Sequence, residues 1–158
     1  MFRVGIGYDL HRLEEGRPLV LGGVTVPFDK GLAGHSDGDA LTHAVIDALL
    51  GAAGLGNIGQ HFPDNDPRYK GADSLTLLMR VASHLRQTGY TIANIDSNIV
   101  AEQPKLNPFL TRMRDRIAEC LDLEPGRVSV KAKTNEGVGP EGRGEAIGAQ
   151  AVVLIERQ

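Results

Sequence analysis

Three side chains in the first third of the sequence have the types and spacing of a metal site. Asp9 and His11 are two residues apart in a stretch of alternating apolar residues, which predicts a β-strand. Residues two apart project from the same face of a strand, so both can reach one ion. His43, on a neighbouring predicted helix, would complete a three-ligand set with an open position, as in catalytic zinc sites. Ordinary surface or core roles for both histidines are the alternative.

Two carboxylates share the predicted helical face of His43. Asp39, His43 and Asp47 recur at intervals of four residues in a segment that is otherwise mostly Ala, Leu, Val and Ile. A buried polar group without a partner costs roughly 1–3 kcal/mol. We therefore predict that Asp39 or Asp47 bonds to the ring nitrogen of His43 that does not face the metal. Helix capping by Asp39 and a solvated Asp47 is the alternative.

The segment before this helix, residues 35–39, suits a phosphate. Exposed N–H groups and the helix dipole at a helix start favour an anion. His35 can add a hydrogen bond or a positive charge, whereas capping alone explains Ser36 equally well.

Two other polar segments are weaker candidates. Residues 131–137, with the sequence KAKTNEG, place two lysines, a hydroxyl and a carboxylate where a predicted strand enters a Gly-rich loop. Such a set suits a metal-bound phosphate, although strand ends are often polar. Residues 62–67, with the sequence FPDNDP, could form a lid that brings carboxylates to sugar hydroxyls, or a simple surface turn.

Composition argues against several classes of protein. The formal net charge is −3 and basic residues form no run, which is not typical of nucleic-acid binders. No apolar run approaches the roughly 20 residues that cross a bilayer. Cys120 is the single cysteine, so we expect a reduced, cytoplasmic setting and interpret it as a small buried hydrophobe. The first residues enter a strand pattern at once, so we expect no signal peptide.

The periodicity of apolar residues predicts the elements that position these side chains. An extended segment at 18–28 is broken at Gly22-Gly23, which indicates a hairpin or a bulge. The mixed order of elements predicts one α+β domain over residues 1–158, a two-layer sandwich with a mixed sheet and helices on one face. The other predicted elements are strands at 3–11, 91–101, 128–133 and 146–155, helices at 40–53, from 74 to near 89 and from 107 to 121, and a long loop at 57–73.

These motifs, in this order, resemble the 2-C-methyl-D-erythritol 2,4-cyclodiphosphate synthase family of the non-mevalonate isoprenoid pathway. The resemblance runs from residue 1 to the last predicted strand, and this colinearity is more specific than any single motif. The matching segments are GYDLH at 7–11, LGGV at 21–24, AGHSDGD at 33–39 with His43, DALLGA at 47–52, FPD at 62–64, KGADS at 70–74, PK at 104–105, KAKT at 131–134 with Glu136, and GRGE at 142–145.

The resemblance implies a metal-dependent phosphorus–oxygen lyase. Its substrate would be 4-diphosphocytidyl-2-C-methyl-D-erythritol 2-phosphate, and its products the 2,4-cyclodiphosphate and CMP. Asp9, His11 and His43 would hold Zn²⁺, and Glu136 would lie near a second divalent cation, Mg²⁺ or Mn²⁺.

The resemblance also assigns the residues that contact the substrate. His35 and Thr134 would act on the transferring phosphoryl group. The residues implied to bind the rest of the substrate are Ser36, Asn57, Ile58, Gly59, Phe62, Pro63, Asp64, Asn65 and Asp66, then Ala101, Pro104, Lys105 and Leu106 at the cytosine, and Lys133, Asn135 and Arg143.

The family's assembly is a homotrimer with sites between subunits, and Arg143 and Glu145 would lie near its threefold axis. Two positions depart from the family pattern: Asn57 replaces a common Asp, and Pro140 replaces a common Phe. Two other functions remain open. A phosphohydrolase could use the same metal set with water as nucleophile, and a non-catalytic protein could bind nucleotides or isoprenoid phosphates.

Overall fold

Seven β-strands form a five-stranded sheet and a separate hairpin in the computed structural model, which describes residues 1–157. The strands are β1 (Phe2–Glu15), β2 (Leu19–Leu21), β3 (Val24–Val26), β4 (Lys30–Leu32), β5 (Tyr90–Val100), β6 (Val128–Lys133) and β7 (Ala146–Arg157). The sheet has the order β4-β1-β7-β5-β6, and the hairpin pairs β2 with β3. β5 and β6 are parallel and the other neighbours are antiparallel, so the sheet is mixed as predicted.

Helices connect these strands. Within residues 1–157 the α-helices are α1 (Ala40–Ala53), α2 (Ile58–His61), α3 (Ser74–Gln87), α4 (Leu110–Leu121) and α5 (Gly139–Gly142). Short 3-10 helices are found at Pro67–Tyr69, Asn107–Phe109 and Pro125–Arg127. No helix in this described part of the chain has the length and apolar character to cross a membrane.

Two glycines of β1 allow α1 to lie directly on the sheet. A Cβ atom at Gly5 would be 1.9 Å from the carbonyl oxygen of Ala48, and one at Gly7 would be 1.9 Å from that of Ala44. The helix therefore runs antiparallel to the strand at a separation that excludes side chains. Its first turns consequently lie beside the part of β1 that carries Asp9.

α1 begins at a fully buried aspartate that also holds the hairpin. The carboxylate of Asp39 accepts bonds from the N–H and hydroxyl of Thr42 at 2.9 and 2.7 Å. It also accepts the N–H groups of Gly22 and Gly23 at 2.9 and 2.8 Å. Both glycines have positive φ, 57° and 69°, as in the tight turn of a two-residue hairpin. The predicted hairpin is confirmed, and it is bonded to the start of the helix that carries His43.

The face of the sheet opposite α1 is apolar and exposed. Its side chains come from alternate residues of β1: Val4 is 68% exposed, Ile6 75% and Tyr8 55%. Val152 on the neighbouring strand β7 is 46% exposed. In a single chain the helices thus cover one face of the sheet and leave an apolar face, here called the open face, in water.

Short elements account for the differences from prediction. β4, α2 and α5 were not predicted, because three or four residues carry too little periodicity to be recognised. β1 continues to Glu15, beyond the predicted end at residue 11. The helix predicted from residue 107 starts as a 3-10 turn and becomes α-helical at Leu110.

Candidate active site

The three predicted metal ligands come together at one end of β1. Oδ2 of Asp9 lies 2.7 Å from Nε2 of His11 and 3.0 Å from Nδ1 of His43. The two ring nitrogens are 3.3 Å apart. One ligand atom from each residue lies within 4.8 Å of the others, close enough to share an ion. One carboxylate and two imidazoles are donors that zinc accepts, so these residues fit the expected ion.

The ring nitrogens that face away from the cluster also have partners. Nδ1 of His11 donates to the carbonyl oxygen of Ala33. Nε2 of His43 lies 2.8 Å from Oγ of Ser74 and 3.2 Å from Oγ of Ser36. A proton on each outer nitrogen leaves the inner nitrogen with a lone pair for a cation.

The electrostatics of the cluster favour a bound cation. Burial alone would raise the pKa of Asp9, but hydrogen bonds and charge from His11 and His43 outweigh burial and bring this pKa to about 2. Burial opposes protonation of His11, yet the hydrogen bond and charge of Asp9 raise the pKa of its imidazole above the usual value. The ionised Asp9 therefore attracts a proton to His11 in the absence of a metal ion, and would attract a divalent cation in the same way.

The predicted bond between His43 and Asp39 or Asp47 is wrong. Asp39 is fully engaged by Thr42 and the hairpin, and Oδ1 of Asp47 accepts the N–H of Ile58 at 2.7 Å. The prediction considered partners on the same helix only, whereas His43 points toward the start of α3. Asp47 instead fixes α2, which forms one wall of the site.

A cavity of about 350 Å³ opens in front of the cluster of Asp9, His11 and His43. Phe62 and Tyr69, with ring centroids 5.3 Å apart, form part of its apolar wall. The predicted site residues that line it are Asp9, His11, His35, Ser36, His43, Ile58, Gly59, Phe62 and Asp64. The predicted residues Asn57, Pro63, Asn65 and Asp66 lie outside its lining.

The loop over this cavity is anchored at His35. Nε2 of His35 donates to the carbonyl oxygen of Asp66 at 3.0 Å, and the carbonyl of His35 accepts the N–H of Gly71 at 2.8 Å. The carboxylate of Asp66 is bonded to Arg68 at 2.6 Å. The backbone carbonyl of Asp66 thus holds the ring of His35, and its side chain holds the 3-10 turn.

Asn57 has a local role that explains its presence. Its side-chain oxygen accepts the N–H of Gln60 at 3.1 Å, and the Gln60 side chain accepts the N–H of Asn57 at 3.0 Å. This reciprocal pair is a capping box at the start of α2. Asn caps a helix about as well as Asp, so the departure from the family pattern preserves this structure.

A second cavity, of about 190 Å³, contains the other group of predicted residues. Oγ1 of Thr134 donates to Oε1 of Glu136 at 3.3 Å at its edge. The predicted residues that line it are Ala101, Pro104, Lys105, Leu106, Lys133 and Thr134. It shares no lining residue with the first cavity, and Glu136 is not part of the Asp9 cluster. A single chain therefore carries the predicted site as two separate halves.

Asn135 and Arg143 bond within their own loop. Nδ2 of Asn135 donates to the carbonyl oxygen of Val138 at 2.9 Å. Nε of Arg143 donates to Oε1 of Glu145 at 2.8 Å. Glu145 and Pro140 line a further cavity, of about 300 Å³, beside the open face. Neither Asn135 nor Arg143 reaches the first cavity in one chain.

Two residues behind His43 were not predicted as site residues: Ser74, which contacts His43, and Asp37, which contacts Ser74. Ser74 is fully buried, and Asp37 accepts both its hydroxyl and its N–H. From the sequence, Ser74 is only a candidate cap for α3. The sequence did contain an indication of this role. The adjacent Asp73 can cap the helix alone, so the serine hydroxyl is not needed as a cap.

Comparison with known proteins identifies the family. The model of the YgbB family matches residues 2–156. The 2-C-methyl-D-erythritol 2,4-cyclodiphosphate synthase of Pelotomaculum thermopropionicum is 60% identical over 155 residues, which are 98% of this chain and 96% of the relative. The chain belongs to the YgbB family of cyclodiphosphate synthases. The cyclodiphosphate synthase of Synechococcus elongatus is 58% identical over 99% of this chain and 98% of its own.

Solved cyclodiphosphate synthase structures share the α+β fold. A CDP-bound synthase matches with a TM-score of 0.90 and 40% identity, over 98% of this chain and 100% of its own. The Plasmodium falciparum CDP complex matches with a TM-score of 0.87 and 32% identity, over 99% of this chain and 97% of its own. The bifunctional IspDF protein of Campylobacter jejuni matches with a TM-score of 0.96 and 42% identity, and this chain spans 43% of its length. The expected family and the expected α+β class with a mixed sheet are confirmed.

Proposed function

We propose that this chain converts 4-diphosphocytidyl-2-C-methyl-D-erythritol 2-phosphate to 2-C-methyl-D-erythritol 2,4-cyclodiphosphate and CMP. The observation that carries the proposal is the Asp9, His11 and His43 cluster at the wall of a cavity, in a chain of this family. CDP in the solved relatives supports a cytidine nucleotide as part of the substrate.

Two cations belong to this proposal. We assign Zn²⁺ to Asp9, His11 and His43, and Mg²⁺ or Mn²⁺ to the neighbourhood of Glu136. Bound cations of this kind reduce repulsion between phosphates and stabilise the charge that develops at phosphorus.

The reaction is an internal substitution at phosphorus. An oxygen of the 2-phosphate forms a bond to the β-phosphorus, and the bond from that phosphorus to the oxygen bridging the α-phosphate breaks. The electron pair and the bridging oxygen leave with CMP, so no water is consumed. Nucleophile and leaving group both belong to the substrate, and the protein has only to fold it and hold its phosphates together.

His35 and Thr134 are the residues that we assign to the transferring phosphoryl group. Nε2 of His35 donates to the carbonyl of Asp66, so an imidazolium at His35 would have the N–H of Nδ1 to donate to a phosphate oxygen. The hydroxyl of Ser36, in the wall of the same cavity, is a second donor.

The remainder of the substrate would occupy both cavities. The apolar wall of the first suits the methyl group and carbon chain of methylerythritol, and the second suits the cytosine. The residues proposed for the first part are Asn57, Ile58, Gly59, Phe62, Pro63, Asp64, Asn65 and Asp66. Those proposed for the nucleotide are Ala101, Pro104, Lys105, Leu106, Lys133 and Asn135.

A homotrimer would join the two halves of the site. The open face is an apolar surface that a second and third copy could cover, and the cavities of one chain share no residue. In the proposed assembly the Thr134 half of one copy meets the Asp9 half of its neighbour. The Arg143–Glu145 pair would then lie near the threefold axis.

Phosphorus NMR of the products tests the reaction. The cytidylated substrate, incubated with the protein, zinc and magnesium, should yield CMP and a cyclic diphosphate. A linear phosphate as the main product would indicate a phosphohydrolase and not a cyclase. No turnover with any divalent cation would favour a non-catalytic binder.

Removal of one ligand tests the metal assignment. His43→Ala should lose zinc and lower turnover by more than about 100-fold, since even the outer partners of metal ligands contribute about 10- to 100-fold. His84→Ala, which removes an exposed histidine from α3, is the matched control and should retain both. Zinc content and CMP release in the two variants are the measurements, and normal turnover by His43→Ala would refute the assignment.

A further inference from the structure

Ser74 and Asp37 form a hydrogen-bonded chain behind His43. Nε2 of His43 lies 2.8 Å from Oγ of Ser74, and the Ser74 hydroxyl donates to Oδ1 of Asp37. We propose that Ser74 and Asp37 are positioning residues that hold His43 in the tautomer and orientation needed to bind the metal ion. This inference rests on the metal site of the proposed function and concerns how the protein orients one ligand of that site.

The direction of each hydrogen bond follows from the number of protons. Asp37 accepts the N–H of Ser74 at 2.9 Å as well as its hydroxyl, so the single hydroxyl proton points to the carboxylate. The oxygen of Ser74 can then only accept from the imidazole. In the metal-bound protein His43 would therefore carry a proton on Nε2 and offer Nδ1, beside Asp9 and His11, to the cation.

His43 depends on side chains for this effect, whereas His11 does not. The outer nitrogen of His11 donates to the backbone carbonyl of Ala33, which no substitution removes. The partner of His43 is supplied by a serine 31 residues further along the chain. Ser36 lies farther from Nε2, at 3.2 Å, and lines the cavity, where its hydroxyl proton can point to substrate.

A purely structural role for Ser74 leaves its hydroxyl unexplained. The segment before α1 is already joined to the segment before α3 by two backbone bonds, from Asp37 N–H to Ala72 at 3.1 Å and from Gly71 N–H to His35 at 2.8 Å. α3 is capped by Asp73 through the N–H of Thr76. The fully buried hydroxyl of Ser74 takes part in neither the backbone bonds nor the cap, and it contacts Asp37 and His43 instead.

Zinc binding without substrate tests this role. Ser74→Ala should bind zinc about 10- to 100-fold more weakly than the unaltered protein in competition with a chromophoric chelator. Thr76→Ala is the matched control, because it removes a hydroxyl from the same turn of α3 that bonds Asp73 instead, at 2.9 Å. It should leave zinc affinity unchanged. Asp37→Asn should also weaken zinc binding, and it serves as the second variant if Ser74→Ala does not fold.

An NMR measurement separates positioning from general destabilisation. In nitrogen-15 NMR of the zinc-bound protein, the Nε2 proton of His43 should give a signal protected from exchange with water by its bond to Ser74, and Ser74→Ala should lose or broaden this signal. Unchanged zinc affinity and an unchanged Nε2 proton signal in both folded variants would overturn the inference, as would an equal loss in Thr76→Ala. A protein with the expected zinc results that forms no cyclic product would instead overturn the proposed function alone.

Discussion

Cys120 shows how burial controls the chemistry of one side chain. Its sulfur lies 3.2 Å from the carbonyl oxygen of Leu75, and burial together with the charge of Asp73 raises the pKa of its thiol to about 11. Only the thiolate is a nucleophile, so roughly 0.1% of the side chain is reactive at pH 8. Iodoacetamide should therefore alkylate the folded protein slowly at pH 8 and faster as pH approaches 11. Mass spectrometry checks this, with the urea-unfolded chain as control, and rapid labelling of the folded protein at pH 8 would contradict it.

The ligands of the candidate metal site could be predicted from residue spacing, but their hydrogen-bond partners could not. Asp9 and His11 share a strand face, and that relation follows from the period of a strand. The partners of His11 and His43 are Ala33 and Ser74, which approach only after the chain has folded. A backbone carbonyl has no signature in the sequence, and a buried serine at a helix start resembles a cap.

The close contact between β1 and α1 sets where the candidate metal ligands meet. Gly7→Ala would place a Cβ atom against the backbone of Ala44, and backbone cannot rotate away as a side chain can. We expect a loss of about 3 kcal/mol or more in the free energy of unfolding, at the upper end of overpacking costs. Zinc affinity should fall as well, because α1 carries His43.

Gly126→Ala is the control for this prediction, since a Cβ atom there has nothing within 4 Å. Denaturant unfolding and zinc titration of the two variants are the measurements. A stable Gly7→Ala protein with full zinc affinity would show that the approach of α1 to the strand does not position the site.

Long helices and strands could be predicted from the sequence, whereas the shortest ones could not. α1, α3 and β7 contain 12 to 14 residues, enough for their periodicity to identify them. α2 has four residues and depends on the Asn57–Gln60 capping box rather than on any apolar pattern. The wall of the cavity was therefore predicted as a loop.

The open face provides a test of assembly for the whole molecule. Ile6 is 75% exposed at its centre, so Ile6→Asp should leave the fold intact and prevent copies from packing there. Light scattering should report a particle near 16.9 kDa in place of a trimer. Turnover should fall by about 100-fold or more, because the two proposed halves of the site would no longer be held next to each other.

Met79→Asp is the matched control for this substitution. Met79 is also a large exposed apolar residue, at 47%, but it lies on α3. It should retain both the trimer and activity. A fully active protein of monomer mass would exclude the shared site.

Mixing two inactive variants tests the shared site more directly. His43→Ala damages one proposed half and Glu136→Ala the other, so co-expressed chains should regain activity that neither has alone. His43→Ala mixed with Asp9→Ala should remain inactive, because both changes affect the same half. Equal inactivity of the two mixtures would indicate that each chain builds its whole site.

If copies pack on the open face as proposed, the activity of this protein depends on its concentration. In the proposed trimer, dilution would separate the copies and leave each with half of the site and an exposed apolar surface. The turnover per chain should consequently decline below a threshold enzyme concentration and return on reconcentration. Assays at nanomolar protein would report the association equilibrium as much as the chemistry.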